Sequence, residues 1–137
     1  MLNKHNIMTN KKYTENELIY EIIGASMEVY NQLGPGLLES VYEKALIQEF
    51  RLRNTFVQSQ VPVAVMYKGH CISNDLRIDL LVERSIVVEL KSVEHLLPVH
   101  FKQTRTYMKL LHKPTGLLIN FDVGDFRDGY KVLRSKS

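Results

Sequence analysis

The chain has 137 residues, a net charge of +3, 45% hydrophobic residues and a single cysteine, Cys71. That is one globular unit with room for a sizeable core, and the lone thiol excludes an internal disulfide framework and suits a reducing, cytoplasmic setting. No apolar run approaches the roughly 20 residues that span a membrane, the polar opening lacks the apolar core of a signal peptide, and the mild basic excess suits a polyanionic partner without requiring one.

Residues 1–12 read as a flexible N-terminal arm, with Lys4, Lys11 and Lys12 either solvated or touching a phosphate backbone. Residues 13–137 are expected to form a single domain. Thr14 and Glu17 make a capping box, and Tyr13 can staple onto Leu18. A helix is predicted over about 15–33, with Leu18, Ile22, Ala25, Val29 and Leu33 facing the core. Gly34-Pro35-Gly36 stops it. A second helix is predicted from near Leu37 to about Arg53, with Leu38, Val41, Ala45 and Leu52 buried. Glu39, Tyr42 and Glu43 share a neighbouring face of that helix. Glu39 lies in the first turn, where the helix dipole favours a carboxylate. It reads either as a surface acid or as an ionised ligand aimed at the sheet.

From Phe56 the pattern becomes that of a strand. Residues Val61 to Tyr67 alternate, and Pro62 suggests an edge or an entry position. Lys68-Gly69 makes a turn, a short strand is predicted around Cys71, and Asn74-Asp75 leads into RIDLLVERSIVVELKS, residues 77–92. This central stretch reads as a hairpin of branched apolar residues interrupted by Asp79, Glu89 and Lys91. Glu89 and Lys91 share a face. A three-residue loop of Glu83, Arg84 and Ser85 would set Asp79 opposite Glu89, with Cβ atoms about 5 Å apart. A two-residue loop of Arg84 and Ser85 would set them on opposite faces. No Gly or Asn selects between the two registers.

A third helix is predicted over 98–112, with Phe101, Thr104, Met108 and Leu111 buried. Gln103 and Tyr107 share a flank beside that stripe. Lys102, Arg105 and Lys109 form a basic stripe, either a solvated face or a grip on nucleic-acid phosphates. Gly116–Val123 reads as a buried strand, and residues 129–133 as a final edge strand after a turn at Arg127–Gly129. The order implies an α/β fold, a central mixed β-sheet flanked by α-helices, with the third helix crossing between parallel strands.

Glu39, Asp79 and Glu89 offer hard oxygen ligands of the kind Mg²⁺ or Mn²⁺ takes. A bound divalent ion would relieve the repulsion between neighbouring carboxylates and assist hydrolysis of a phosphodiester. Lys91 would orient the attacking water or neutralise charge at phosphorus. Gln103 would hold that water or a backbone group, and Tyr107 would position Lys91 or touch the nucleic acid. A hairpin with a solvated polar face carries the same residues without the chemistry, although Asp79 and Glu89 interrupt apolar runs, where unpaired charge is unfavourable. Other chemistries find less support. The five histidines are scattered without an HExxH, and the chain has no GxSxG, Walker A or GxGxxG.

Gly36-Leu37-Leu38-Glu39-Ser40-Val41-Tyr42 resembles the signature of the GxxExxY protein family, part of the PD-(D/E)XK nuclease-like superfamily. Asp79 and Glu89-Leu90-Lys91 resemble that superfamily's acid and (D/E)xK motif, and Gln103 to Tyr107 resembles the QxxxY motif of its RecB-like nucleases. The resemblance runs from about Glu15 to Leu133. It implies a restriction-endonuclease-like core, with Glu39, Asp79 and Glu89 at a metal and Lys91 as the catalytic lysine. The expectation is a metal-dependent nuclease acting on nucleic acid, DNA ahead of RNA, in repair or defence. A homodimer would let two sites address two strands. The alternative is a non-catalytic module that keeps the fold and binds nucleic acid or a protein.

Overall fold

The computed structural model describes residues 13–135, so the expected arm over 1–12 lies outside the described residues. Helix α1 (Glu15–Leu33) starts at the predicted capping box: Glu17 N donates to Thr14 Oγ1 at 3.1 Å and Thr14 N to Glu17 Oε1 at 2.8 Å. Leu18, Ile22, Ala25 and Val29 are buried as expected. Leu33 is not; it ends the helix where Gly34, at φ 70°, turns the chain away from the core.

Helix α2 (Glu39–Leu52) begins two residues later than expected, with Leu38 as its extended N-cap. Its buried stripe is Tyr42, Leu46 and Phe50, which corrects the expected Leu38, Val41, Ala45 and Leu52. Leu38 and Leu52 are 75% and 69% exposed. Both stripes have helical spacing, and the one that carries two large rings removes more apolar surface from water. The Tyr42 ring stacks on Phe121 with centroids 4.3 Å apart. Its hydroxyl donates to Gly34 O at 2.6 Å and accepts from Leu37 N at 3.1 Å, so the buried polar tip is satisfied and the loop between the helices is tied down.

The sheet has five strands in the order β1 (Val57–Tyr67), β2 (His70–Val82), β3 (Ile86–Lys91), β4 (Thr115–Asn120) and β5 (Tyr130–Arg134). Neighbours are antiparallel except β3 and β4, which run parallel and are joined through helix α3 (Pro98–Leu110). Cys71, Asn74 and Asp75, expected as a short strand and a lead-in, belong to one long strand instead. The turn before it has Lys68 at φ 48° and Gly69 at φ 83°, the left-handed pair that suits a two-residue hairpin. Pro62 lies on the edge strand, where no further ladder needs its missing N–H.

Each sheet face has its own core. Leu80, Val82, Val88, Leu90 and Ile119 pack with α1 and α2. Ile78, Leu81, Val87 and Leu118 pack with Tyr107 and Met108 of α3. A Cβ at Gly116 would lie 2.8 Å from Met108 Sδ and 3.2 Å from Val87 O, so a larger residue there would force the Met108 side chain of α3 to shift. This is the mixed, helix-flanked α/β sheet that the order of elements predicts, consistent with a restriction-endonuclease-like fold. Among the described residues no helix is long and apolar enough to cross a membrane.

The loop tether gives a test. Tyr42→Phe keeps the stacked ring and leaves Gly34 O and Leu37 N without their shared partner, and is expected to lower stability by about 1–2 kcal/mol in chemical denaturation. Tyr42→Ala also empties the ring site and should lose about 3–5 kcal/mol. Equal stability of Tyr42→Phe and wild type would show that the hydroxyl tether contributes nothing.

Candidate active site

The hairpin register decides whether the acids meet. Val82 pairs with Ile86, Leu81 with Val87 and Leu80 with Val88, which is the register of a three-residue loop. The loop achieves this without glycine. Glu83 and Arg84 sit at φ 50° and 55°, and Ser85 N donates to Val82 O at 2.9 Å. Phe56 holds them there: Glu83 N donates to Phe56 O at 2.8 Å, and the Arg84 guanidinium stacks 4.8 Å from the Phe56 ring.

One rung beyond Leu80 and Val88, the backbone ladder stops and side chains replace it. Asp79 N donates to Glu89 Oε1 at 3.0 Å, and Leu90 N donates to Asp79 Oδ2 at 2.8 Å. Each acid thus occupies a ladder site of the other strand. Glu89 is only 4% exposed. Burial and then the charge of Asp79 push its carboxyl up to about 8, against weaker opposition from the Asp79 N–H and Lys91. Asp79 is raised too, chiefly by burial, while Leu90 N–H, Lys91 and the Gln60 amide pull it back.

Two residues outside the expected set belong to this cluster. Glu43 lies one turn after Glu39, half-buried, and is raised by burial and then by Asp79. Gln60 Nε2 donates to Glu43 Oε1 at 2.8 Å. The neighbouring rungs pair Ser59 with Leu80 and Val61 with Ile78, which sets Gln60 opposite Asp79. The helical spacing of Glu39 and Glu43 was a usable signal in the sequence. Gln60 gave none, because its importance depends on a left-handed backbone that glutamine rarely adopts.

Glu39 stands exposed at the start of α2, near enough for its charge to raise both Glu43 and Glu89. Ser92 Oγ donates to Leu37 O at 2.5 Å and so ties that helix start to the end of β3. Lys91 is half-buried and lowers both Asp79 and Glu89, yet forms no ion pair with either among the described residues. Asn120, also unanticipated, fixes the chain just after Lys91: its Oδ1 accepts from Val93 N at 3.0 Å and its Nδ2 donates to Val93 O at 2.8 Å.

Gln103 Nε2 donates to Tyr107 OH at 3.0 Å, with Gln103 exposed and Tyr107 buried on the α3 face. Among the described residues neither hydrogen-bonds to Asp79, Glu89 or Lys91. Lys102, Arg105 and Lys109 are exposed. Arg105 is tied to β5 through Arg134 O at 2.7 Å, and with Lys109 it lines an open groove of about 520 Å³. His100 Nδ1 accepts from Leu97 N at 2.9 Å, and Cys71 is exposed on β2.

The donor set suits a hard divalent cation. Asp79 and Glu89 each spend one carboxylate oxygen on a backbone N–H, which leaves the other for a cation, and every donor is oxygen. The mutual repulsion that raises Glu89 is what such an ion would remove. Among the described residues no three His, Cys, Asp or Glu side chains are gathered closely enough to surround one ion, so Glu39 is near the acid pair without joining it.

The raised Glu89 has a measurable consequence. Its folded value of about 8 exceeds the ordinary 4.5, so the folded metal-free protein holds a proton that the unfolded chain releases between those values. Stability from this group is present below pH 4.5 and is lost as the pH rises towards 8. Glu89→Gln does not titrate and keeps an oxygen for Asp79 N. Its melting temperature without metal should match wild type near pH 5 and exceed it by a few degrees near pH 8. A constant difference across that range would contradict the assignment.

The chain matches the family model of the PD-(D/E)XK nuclease superfamily over residues 16–133. No curated protein and no solved structure matches it. Members of that superfamily are mostly nucleases and typically use divalent metals such as Mg²⁺ or Mn²⁺. The match begins within α1 and ends within β5, taking in the whole sheet and the split hairpin, and the chain belongs to the PD-(D/E)XK nuclease superfamily.

Proposed function

We propose that this protein is a nuclease of the GxxExxY kind that hydrolyses phosphodiester bonds with Mg²⁺ or Mn²⁺, with DNA as the first substrate. The observation that carries the reading is the reciprocal Asp79–Glu89 arrangement. It keeps two carboxylates together at a break in an apolar sheet, with Lys91 on the same strand as Glu89. A protein that only bound polyanions would gain nothing from acids placed there.

In this reading Asp79 and Glu89 hold the cation, and Glu39, which stands apart from the pair without the ion, would be drawn in from the start of α2 as a third carboxylate. The ion supplies Lewis acidity and neutralises charge that develops on the phosphate. Lys91, a compact point charge, orients the attacking water and stabilises the negative charge gathering at phosphorus. The hydrogen-bonded Gln103–Tyr107 pair presents its amide at the surface of α3 to the nucleic acid. Lys102, Arg105 and Lys109 hold backbone phosphates, which orient the substrate without reading its sequence.

The test separates binding from chemistry. Asp79→Ala should lose Mn²⁺ binding in isothermal titration and lose cleavage, while circular dichroism shows it folded. Lys91→Ala should keep Mn²⁺ binding and lower cleavage about 10²–10⁴-fold. Unchanged cleavage by both variants would refute the assignment. Salt-dependent DNA binding that survives both EDTA and Asp79→Ala, without cleavage, would favour the non-catalytic module. Replacing Lys102 or Lys109 by Ala should weaken binding on every sequence alike and reduce the salt slope by about 1 per residue.

A further inference from the structure

Both strands of the β1–β2 hairpin change faces at one rung. Val57 packs with the α1 and α2 core, whereas Val61 and Val63 pack with the α3 core. In the partner strand Leu80 and Val82 belong to the first core and Ile78 to the second. Residues two apart on a regular strand point the same way, so Ile78 and Leu80 can face opposite cores only if the chain rotates at Asp79. The rung where this happens sets Gln60 opposite Asp79, and it is the one left unpaired between Ser59–Leu80 and Val61–Ile78. Gln60 supplies the rotation with a left-handed backbone at φ 51°.

Glycine would make this bend without strain. A glutamine there brings a side chain as well, and its amide is in use. One N–H meets Glu43 Oε1 at 2.8 Å, and Gln60 stands opposite Asp79, near enough for its amide to lower that carboxyl. A terminal amide has two N–H donors, enough for one to each acid. Asp79 Oδ2 is already anchored by Leu90 N at 2.8 Å, so a second donor fixes how the carboxylate is turned.

We propose that Gln60 is the positioning residue for Asp79: its backbone turns Asp79 out of the strand alternation, and its amide ties that carboxylate to Glu43 on α2. The inference rests on Asp79 being a cation ligand and adds a residue that none of the sequence motifs includes. Hydrogen bonds to a ligating carboxylate orient it and tune its affinity for the ion, and their loss typically weakens binding by about 10–100-fold.

The test uses isothermal titration of Mn²⁺ into the full-length wild type, Gln60→Gly, Gln60→Asn and Asp79→Ala, with melting temperatures of each protein without metal. Gln60→Gly accepts the left-handed backbone and lacks the amide. It should melt no lower than wild type and bind Mn²⁺ at least about 10-fold more weakly. Gln60→Asn tolerates the same backbone, but its amide is one methylene shorter, and it should also bind more weakly. Wild-type affinity in Gln60→Gly would overturn the positioning role alone, as would a lower melting temperature with unchanged affinity. Failure of the wild type to bind Mn²⁺ would overturn the reading of Asp79 and this inference with it.

Discussion

Two carboxylates set side by side in an apolar sheet must find donors, because burial strips them of water, Glu89 most of all. Asp79 and Glu89 solve this by taking N–H groups that the ladder would otherwise use, Leu90 N for Asp79 and Asp79 N for Glu89. The solution ends the β2–β3 pairing at Leu80 and Val88. Beyond that point β2 stays with β1 alone, out to Tyr67 and His70. The sheet therefore opens at the acid pair. The notch follows from satisfying the acids rather than from a loop or a glycine.

The same arrangement leaves an electrostatic imbalance. Burial is the largest cause raising Asp79, Glu43 and Glu89, and the charge of Asp79 is the second cause for the latter two. Lys91 lowers Asp79 and Glu89, but for Glu89 it ranks below burial, below Asp79 and below a single backbone N–H. One lysine thus does not offset the acids it accompanies. A divalent ion carries more charge at shorter range and has no desolvated stem to order, which is the physical reason for proposing a metal at this donor set.

Much of this is legible in the amino-acid sequence. Element order, the mixed sheet and the meeting of Asp79 with Glu89 in one of two possible registers were legible, because period-two alternation and Gly-Pro punctuation are strong local signals. The buried face of α2 was misread, since Leu38 and Val41 have the right spacing and only the stacking of Tyr42 on Phe121 shows which stripe the core takes. The register itself was not decided, because Glu83 and Arg84 are unusual left-handed residues held by Phe56, a partner 27 residues away. Gln60 and Asn120 were missed for the same reason. Each acts through one side chain on a distant segment, and a single sequence carries no trace of such a contact.

Within Gly36-x-x-Glu39-x-x-Tyr42, the three spaced residues form one device. Gly36 lies at φ 100°, a conformation open to glycine and strained for most side chains. It lets the chain leave α1 and enter α2 within a few residues. Tyr42 buries its ring against Phe121 and closes the loop from inside through Gly34 O and Leu37 N. Ser92 closes it from the β3 side through Leu37 O. Glu39 is three residues before Tyr42, hence on nearly the same side of the helix. Fixing the tyrosine in the core therefore fixes where the glutamate stands relative to the end of β3. The acid at the surface is positioned by the burial of an aromatic ring one turn on, which explains why an exposed residue in the first turn still bears electrostatically on buried Glu89.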